Sequence, residues 1–197
     1  TISEMGRAGA GGVLEAIMQF FGLRGSEAMP EFELMAPDDR GGVLEALERY
    51  GADATLLAGG TDLGVLLRSG ARAPRVVISL CKVREMNYVR GGGGRRALGP
   101  MLTHSEIAAH PSLRDLRALT KGAASIGSPQ VRNAGTAGGN LANASPAADL
   151  CPPLLVLDAE ISLASAGSER TLALEDFLKG PGLTATQPNE IIQGITL

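Results

Sequence analysis

Tryptophan is absent from this 197-residue sequence, and aromatic residues make up only 3% of it. Such a chain offers no platform of rings on which nucleic-acid bases could stack. Its two cysteines, Cys81 and Cys151, are far apart, and neither has a Cys-x-x-Cys partner. This excludes a four-cysteine zinc or iron–sulfur site within the chain. Because a disulfide framework is also not expected, we predict a reducing, cytoplasmic compartment.

Positive charge is scarce as well. The formal net charge is −3, and the three lysines, Lys82, Lys121 and Lys179, form no basic block. This argues against the binding of nucleic acid or of a membrane surface. No apolar run reaches the length that spans a bilayer, and the N-terminus lacks the basic and apolar regions of a signal peptide.

The usual signatures of nucleotide binding and catalysis are also missing. The glycines at 9–12 do not complete a G-x-G-x-x-G motif, because position 14 is Leu, and no glycine loop runs into Lys-Ser or Lys-Thr. There is no G-x-S-x-G motif. His104 lies in a predicted capping box and His110 precedes a proline, so we expect surface or structural roles for both. The sequence therefore predicts neither a catalytic residue nor a metal ligand.

The sequence does contain a mixture of helical and strand patterns. We predict an appendage at residues 1–30, with a short amphipathic helix at 13–21, and two subdomains at 31–90 and 91–197. Strands and helices follow one another without strict βαβ alternation, which predicts an α+β fold. Thr103 and Glu106 have the spacing of a capping box. The predicted elements are strands at 32–34, 55–58, 76–80 and 191–197, hairpins at 87–98 and 160–174, and helices at 42–50, 62–68, 104–109, 113–126 and 153–157.

Two glycine-rich segments indicate what the protein binds. The first glycine loop, residues 57–63, follows a buried strand and opens a helix, and the second glycine loop comprises residues 135–149. Because glycine has no Cβ, the backbone N–H groups of such loops can approach a phosphate closely. Two loops in one chain predict a long ligand with phosphates in its middle. The candidate ligand-binding residues are Leu57, Ala58, Gly59, Gly60, Thr61, Asp62 and Leu63 in the first loop, and Thr136, Gly138, Gly139, Asn140, Asn143, Ser145 and Asp149 in the second.

Each loop also has a purely structural interpretation. Gly59 and Gly60 are compatible with an ordinary tight turn, and Asp149 is a possible cap of the helix that follows it. As a ligand contact, Asp149 would be repelled by phosphate, so we expect it to accept hydrogen bonds from ligand hydroxyl groups. Arg132 and Asn133 are candidates for holding the turn before the second loop. A phosphate site with few acid–base groups is typical of a protein whose cofactor supplies the chemistry.

Both loops resemble those of a known family. Residues 58–63 and 136–150 are similar to the two FAD-binding loops of the medium subunit of molybdenum hydroxylases, the family of xanthine dehydrogenase and aerobic carbon monoxide dehydrogenase. Residues 125–133, 181–184 and 188–192 also resemble this family, and the similarity runs from about residue 32 to residue 197. The resemblance implies a two-subdomain FAD-binding fold of the vanillyl-alcohol-oxidase/molybdopterin dehydrogenase type, with the C-terminal domain missing. It places the first loop on the pyrophosphate of FAD and the second towards the ribityl and isoalloxazine end.

The resemblance further implies a role in electron transfer. Electrons would come from a molybdopterin-binding large subunit through the [2Fe–2S] clusters of a small subunit, and would leave FAD for NAD⁺, oxygen, a quinone or another acceptor. Two alternatives stay open. One is a self-contained flavin oxidoreductase, which would need acid–base residues of its own. The other is a flavin-free structural subunit of the same complex.

The end of the sequence carries a separate expectation. Residues 191–197 form an apolar strand pattern, and the C-terminal domain typical of the family does not follow it. We therefore expect this strand to lack a partner and to expose its edge, which would favour association with a neighbouring subunit.

Overall fold

The structure, a computed structural model, describes residues 31–92 and 94–197. The predicted appendage at 1–30 and its helix at 13–21 lie outside the described residues. Short 3₁₀ turns occur at Gly51–Asp53, Arg84–Met86 and Pro111–Leu113. In chain order, the helices and strands are β1 (Glu33–Met35), α1 (Arg40–Tyr50), β2 (Ala54–Leu57), α2 (Leu63–Arg68), β3 (Val76–Ser79), β4 (Val89–Gly92), β5 (Arg95–Leu98), α3 (His104–Ala109), α4 (Arg117–Ser125), α5 (Pro129–Ala134), α6 (Ala137–Asn143), α7 (Cys151–Val156), β6 (Glu160–Ala164), β7 (Glu169–Ala173), α8 (Leu174–Phe177), β8 (Leu178–Gly180), β9 (Leu183–Thr184) and β10 (Ile191–Thr196).

The first part of the described chain forms a three-stranded parallel sheet with the order β1-β3-β2. β3 is central and all four of its residues are buried. The carboxylate of Asp39 accepts a hydrogen bond from the Gly42 N–H at 2.8 Å, which fixes the start of α1. The helix ends at Gly51, whose φ of 48° suits glycine. β2 then leads directly into the first glycine loop at the carboxyl edge of the sheet, where parallel sheets commonly bind ligands.

A five-stranded antiparallel sheet with the order β4-β5-β10-β6-β7 forms the second part. Its central strand is β10, which pairs with β5 on one side and with β6 on the other. The expectation that residues 191–197 lack a partner is therefore wrong. Both partner strands lie earlier in the chain, and such long-range pairing leaves no signal in a local sequence pattern.

The helices that follow the first hairpin differ from the prediction at several places, and α5 and α8 were not predicted. The capping box is confirmed, since Thr103 Oγ1 accepts the Glu106 N–H and Glu106 Oε2 accepts the Thr103 N–H at 2.7 Å. The helix predicted at 113–126 begins only at Arg117, after the 3₁₀ turn that contains Pro111. The second glycine loop contains the unpredicted α6, because the buried Leu141 and an N-cap at its start outweigh the low helix propensity of its glycines.

Two apolar cores lie behind the sheets. The larger packs α3, α4, α6 and α7 against the five-stranded sheet, with Leu119, Leu141 and Leu163 fully buried in it. The smaller packs α1 against the parallel sheet around Val43 and Ile78. A small parallel sheet with alternating helices, a five-stranded antiparallel sheet covered by helices and the two-stranded sheet β8-β9 confirm the α+β class. Within the two described ranges, no helix combines the length and the hydropathy needed to cross a membrane.

Candidate functional site

A cavity of about 650 Å³ lies where the two glycine loops meet. This volume is typical of sites for small ligands and cofactors. Leu57 is the predicted site residue that does not line it: Leu56 faces the cavity, whereas Leu57 packs against Val77 and Cys81, because alternate residues of a strand point to opposite faces. The other predicted site residues all line the cavity, namely Ala58, Gly59, Gly60, Thr61, Asp62, Leu63, Thr136, Gly138, Gly139, Asn140, Asn143, Ser145 and Asp149.

The first glycine loop has unpaired backbone donors at this cavity. In the described part of the chain, the N–H groups of residues 59–63 donate to no other group. Gly60 has a φ of 72°, which lies in the left-handed region that glycine favours, and it turns the chain from β2 towards α2. Successive unpaired N–H groups at such a turn form a concave site for an anion. The geometry of this loop therefore suits a phosphate.

The second glycine loop is built differently. The N–H of Gly138 donates to the Pro100 carbonyl at 2.8 Å, and the N–H of Gly139 donates to Thr136 Oγ1 at 3.1 Å. The N–H groups of residues 137 and 140 are also bound, each to a backbone carbonyl. The sequence argument that backbone N–H groups of both loops are available to phosphate is thus wrong for residues 137–140 of the second loop. In this part of the loop, the side chains rather than the backbone amides are free to contact a ligand.

The two loops touch each other through Gly59. A Cβ on this residue would lie 1.9 Å from the carbonyl oxygen of Ala134 and 2.9 Å from the Cα of Gly135. A Cβ on Gly138 would lie 2.7 Å from the Cβ of Pro100. At both positions a side chain would clash with neighbouring protein atoms, so only glycine fits there without a shift of the backbone. The two glycines thereby allow the close approach that sets the distance between the walls of the cavity.

Charged side chains are few around the cavity. Asn143 Nδ2 donates to one carboxylate oxygen of Asp62 at 3.1 Å, and this hydrogen bond links the two loops. The hydroxyl of Thr61 donates to the other carboxylate oxygen at 3.3 Å. Asp62 and Asp149 are the exposed carboxylates of the lining, and Arg72 is its one cationic side chain among the described residues. Because like charges repel, a phosphate is favoured at the amides of the first loop over a position near Asp149.

His104 lines the same cavity and is buried, so of the two predicted roles, surface or structural, only the structural one is compatible with its position. Its side chain is 3% exposed, and its Nδ1 has no hydrogen-bond partner among the described residues. Burial lowers the pKa of His104 from 6.5 to about 4, and the carboxylate of Asp149 opposes this effect. The imidazole is therefore neutral at neutral pH. The capping box placed His104 on a helix, but no sequence signal indicated which face of the helix meets the cavity.

Acid should destabilise the chain through His104. Between pH 6.5 and about 4 the unfolded chain binds a proton that the folded chain excludes, so the free energy of unfolding falls as the pH falls. The loss expected over this window is up to about 3 kcal/mol. In His104→Leu this part of the pH dependence should disappear, as measured by urea unfolding at pH 7, 5.5 and 4. An unchanged slope in the variant would contradict the assignment.

The residues that precede the second glycine loop hold a turn, as predicted. Arg132 Nη1 donates to the carbonyls of Ile126 and Gly127 at 2.9 and 2.7 Å. Asn133 Oδ1 accepts the hydroxyl hydrogen of Ser105 at 2.5 Å. Ile126 and Gly127 line the cavity, so this turn forms part of its wall.

Another part of the wall was not predicted from the sequence. Thr186, Pro188 and Glu190 line the cavity from the segment that joins β9 to β10. Nothing in the local pattern of this segment relates it to the glycine loops. Its place follows from the central position of β10, which is itself a long-range feature.

The residues present fit a dinucleotide cofactor. The unpaired amides of the first loop and the hydroxyl of Thr61 suit a diphosphate. On the opposite wall, Asn140 Oδ1 is buried without a partner among the described residues, and such atoms are normally satisfied by a protein group, water or a ligand. In the described ranges, no group of three or more His, Cys, Asp or Glu side chains is placed to hold a metal ion.

Comparisons with known proteins agree on one family. A family model described as the FAD binding domain in molybdopterin dehydrogenase matches residues 30–197. The chain is 35% identical over 174 residues to the nicotinate dehydrogenase FAD-subunit of Eubacterium barkeri, which covers 86% of this chain and 59% of the relative.

Solved structures show the same relationship. Carbon monoxide dehydrogenase from Hydrogenophaga pseudoflava, in a form that lacks the Mo-pyranopterin moiety of the molybdenum cofactor, matches with a TM-score of 0.83 and 29% identity. Quinoline 2-oxidoreductase from Pseudomonas putida 86 matches with a TM-score of 0.82 and 29% identity. Each match covers 86% of this chain and 60% of the other. The chain thus spans less than two thirds of the length of these proteins.

Proposed function

The chain belongs to the family of FAD binding domains in molybdopterin dehydrogenase, and from this premise we propose that it is the FAD-binding electron-transfer subunit of a molybdenum-containing hydroxylase or dehydrogenase. The observation that carries the proposal is the cavity between the glycine loops, with unpaired amides on one wall and polar side chains on the other. When bound, FAD supplies the redox chemistry at its isoalloxazine ring.

The first glycine loop would hold the diphosphate of the cofactor. The N–H groups of residues 59–63 and the hydroxyl of Thr61 would donate hydrogen bonds to its oxygens, and such charge-assisted bonds are the strong ones. Asp62 would not touch the phosphates, because its carboxylate already accepts hydrogen bonds from Thr61 and Asn143. Its role would be to hold the first glycine loop against the second through the hydrogen bond from Asn143.

The second glycine loop would act through its side chains. Asn140 brings a buried amide oxygen without a partner in the described chain, and Ser145 and Asp149 stand nearby in the lining. Asp149 would accept hydrogen bonds from ligand hydroxyl groups. Gly138 and Gly139 would shape the wall, since their N–H groups are already bound within the protein.

The partners would supply the chemistry at both ends of the electron path. We place the molybdopterin cofactor on a large subunit and the [2Fe–2S] clusters on a small subunit. This is supported by relatives that are named as a nicotinate dehydrogenase FAD-subunit and as the medium chain of carbon monoxide dehydrogenase, an enzyme whose solved structure is described by reference to its molybdenum cofactor. The final acceptor would be NAD⁺, oxygen, a quinone or another carrier. We propose a cytoplasmic location, which the free thiols of Cys81 and Cys151 support.

Purification of the chain with its native partners tests this function. We expect the absorbance spectrum of a flavin, together with molybdenum and iron in the co-purifying subunits. Flavin without either metal would favour a self-contained flavin oxidoreductase. A chain that copurifies with both metals but holds no flavin would favour a structural subunit, and either result would overturn the proposal.

A further inference from the structure

A partly buried ion pair, Arg170 with Glu190, lies at one wall of the cavity. Arg170 Nε donates to Glu190 Oε1 at 2.7 Å, and Arg170 Nη2 donates to Glu190 Oε2 at 2.8 Å. This two-pronged geometry is the strongest form of an arginine–carboxylate pair. The side chain of Glu190 is 7% exposed and that of Arg170 is 37% exposed. The carboxylate of the pair is thus shielded from water more than in a surface ion pair, whereas the guanidinium is partly exposed.

The same two side chains also hold the backbone of the segment at residues 185–190. Arg170 Nη2 donates to the carbonyl of Ala185 at 2.6 Å, and Glu190 Oε2 accepts the N–H of Gln187 at 2.8 Å. Arg170 itself is fixed on β7, within the five-stranded sheet. The guanidinium of Arg170 therefore ties the 185–190 segment to β7 at Ala185 and Glu190, and the carboxylate of Glu190 adds a bond within the segment to Gln187.

This segment forms part of the cavity wall through Thr186, Pro188 and Glu190. It has no regular secondary structure between β9 and β10, and these side-chain contacts hold it in place together with the backbone hydrogen bonds from Ala185 to Phe177 and from Glu190 to Gln187. A wall that is held before the ligand arrives need not be ordered on binding, and this preorganisation raises affinity.

The charges of the pair are mutually stabilised. The hydrogen bond from Arg170 lowers the pKa of Glu190 against the opposing effect of burial, and the hydrogen bond to Glu190 raises the pKa of Arg170. Removing Arg170 would leave the carboxylate of Glu190, which is 7% exposed, without its charged partner, which is unfavourable. The 185–190 segment would then have to move so that water could reach the remaining carboxylate.

We propose that Arg170 and Glu190 are positioning residues for the cofactor site: they hold the 185–190 segment as a preformed wall and thereby set the affinity for FAD. Neither residue is assigned a contact with FAD in this proposal. The inference rests on the proposed function, because it concerns the affinity for the same cofactor.

Arg170→Met and Arg170→Lys test the proposal in the full chain. Methionine keeps part of the apolar stem but removes the guanidinium, and lysine keeps the charge without the two-pronged geometry. We expect Arg170→Met to weaken FAD binding by about tenfold or more, with a smaller loss in Arg170→Lys. Without FAD, the amide hydrogen of Gln187 should exchange faster in Arg170→Met than in the unmodified chain.

Two control variants separate positioning from general stability. Arg95→Met breaks the ion pair of Arg95 with Glu160, whose side chains are 75% and 45% exposed. Ile161→Val shortens a fully buried side chain of the five-stranded sheet away from the cavity. We expect both controls to keep the FAD dissociation constant within about twofold, although Ile161→Val should lower the free energy of unfolding.

The outcomes distinguish the two hypotheses. If the unmodified chain binds FAD and Arg170→Met binds it equally well, the positioning role is wrong and the proposed function stands. Faster exchange at Gln187 with unchanged affinity would also overturn the inference. If Ile161→Val weakens FAD binding as much as Arg170→Met, the effect is one of general stability and the inference fails. If the unmodified chain binds no FAD in its native complex, the proposed function itself fails.

Discussion

Replacing Gly59 by valine is expected to abolish FAD binding and to lower the free energy of unfolding by about 3 kcal/mol or more. The reason is steric, because even the first side-chain atom would lie 1.9 Å from the carbonyl oxygen of Ala134. Backbone atoms of the second glycine loop would have to move away, and the two walls of the cavity would separate. Urea unfolding and the FAD dissociation constant measure the two effects.

Gly167→Val is the matched control for this substitution. It introduces the same side chain at a glycine with open space around it, and we expect stability within about 0.5 kcal/mol of the unmodified chain and unchanged FAD binding. Gly59→Ala provides a second, smaller perturbation that should also weaken FAD binding strongly. FAD affinity retained in both Gly59 variants would show that contact between the loops does not build the site.

Gly138→Ala is expected to destabilise the chain by about 2 to 3 kcal/mol. The new methyl group would lie 2.7 Å from the Cβ and 2.9 Å from the carbonyl oxygen of Pro100. The hydrogen bond from the Gly138 N–H to that carbonyl would be strained, and α6 would shift at the cavity wall. Thermal and urea unfolding, with FAD affinity as a second readout, measure this effect.

The neighbouring Gly139→Ala serves as the comparison. Its Cβ would meet only the Thr136 hydroxyl oxygen at 3.0 Å and the Ala58 Cβ at 4.0 Å. Alanine also favours a helix over glycine by up to about 1 kcal/mol, so we expect little net change in stability. Equal destabilisation by the two substitutions would contradict the packing role of Gly138.

The sequence predicted the local features of the fold well. The capping box of Thr103 and Glu106 depends on residues three positions apart, and it is confirmed. The two glycine loops were recognised because glycine, small polar residues and strand-to-helix transitions are also local features. That the structure brings these loops together at one cavity agrees with the prediction of a single ligand.

The features that were not predicted depend on contacts between residues that are far apart in the sequence. The central place of β10 depends on strands far away in the chain, and so does the wall formed by the 185–190 segment. The N–H groups of residues 138–140 in the second glycine loop donate to Pro100 and to the N-cap residue Thr136. This part of the predicted phosphate loop is therefore a helix. His104 was assigned to a helix correctly, but its burial at the cavity arises from tertiary packing.

Amide hydrogen exchange, followed residue by residue by NMR in the full chain, tests the central claim most directly. The claim is that the amides of residues 59–63 bind the diphosphate of FAD, whereas those of Ala137 to Asn140 serve the fold. We predict that FAD slows exchange at residues 59–63 by at least about tenfold, while the amides of the first turn of α6 are protected with and without FAD. Protection by FAD at α6 without protection at residues 59–63 would contradict the account.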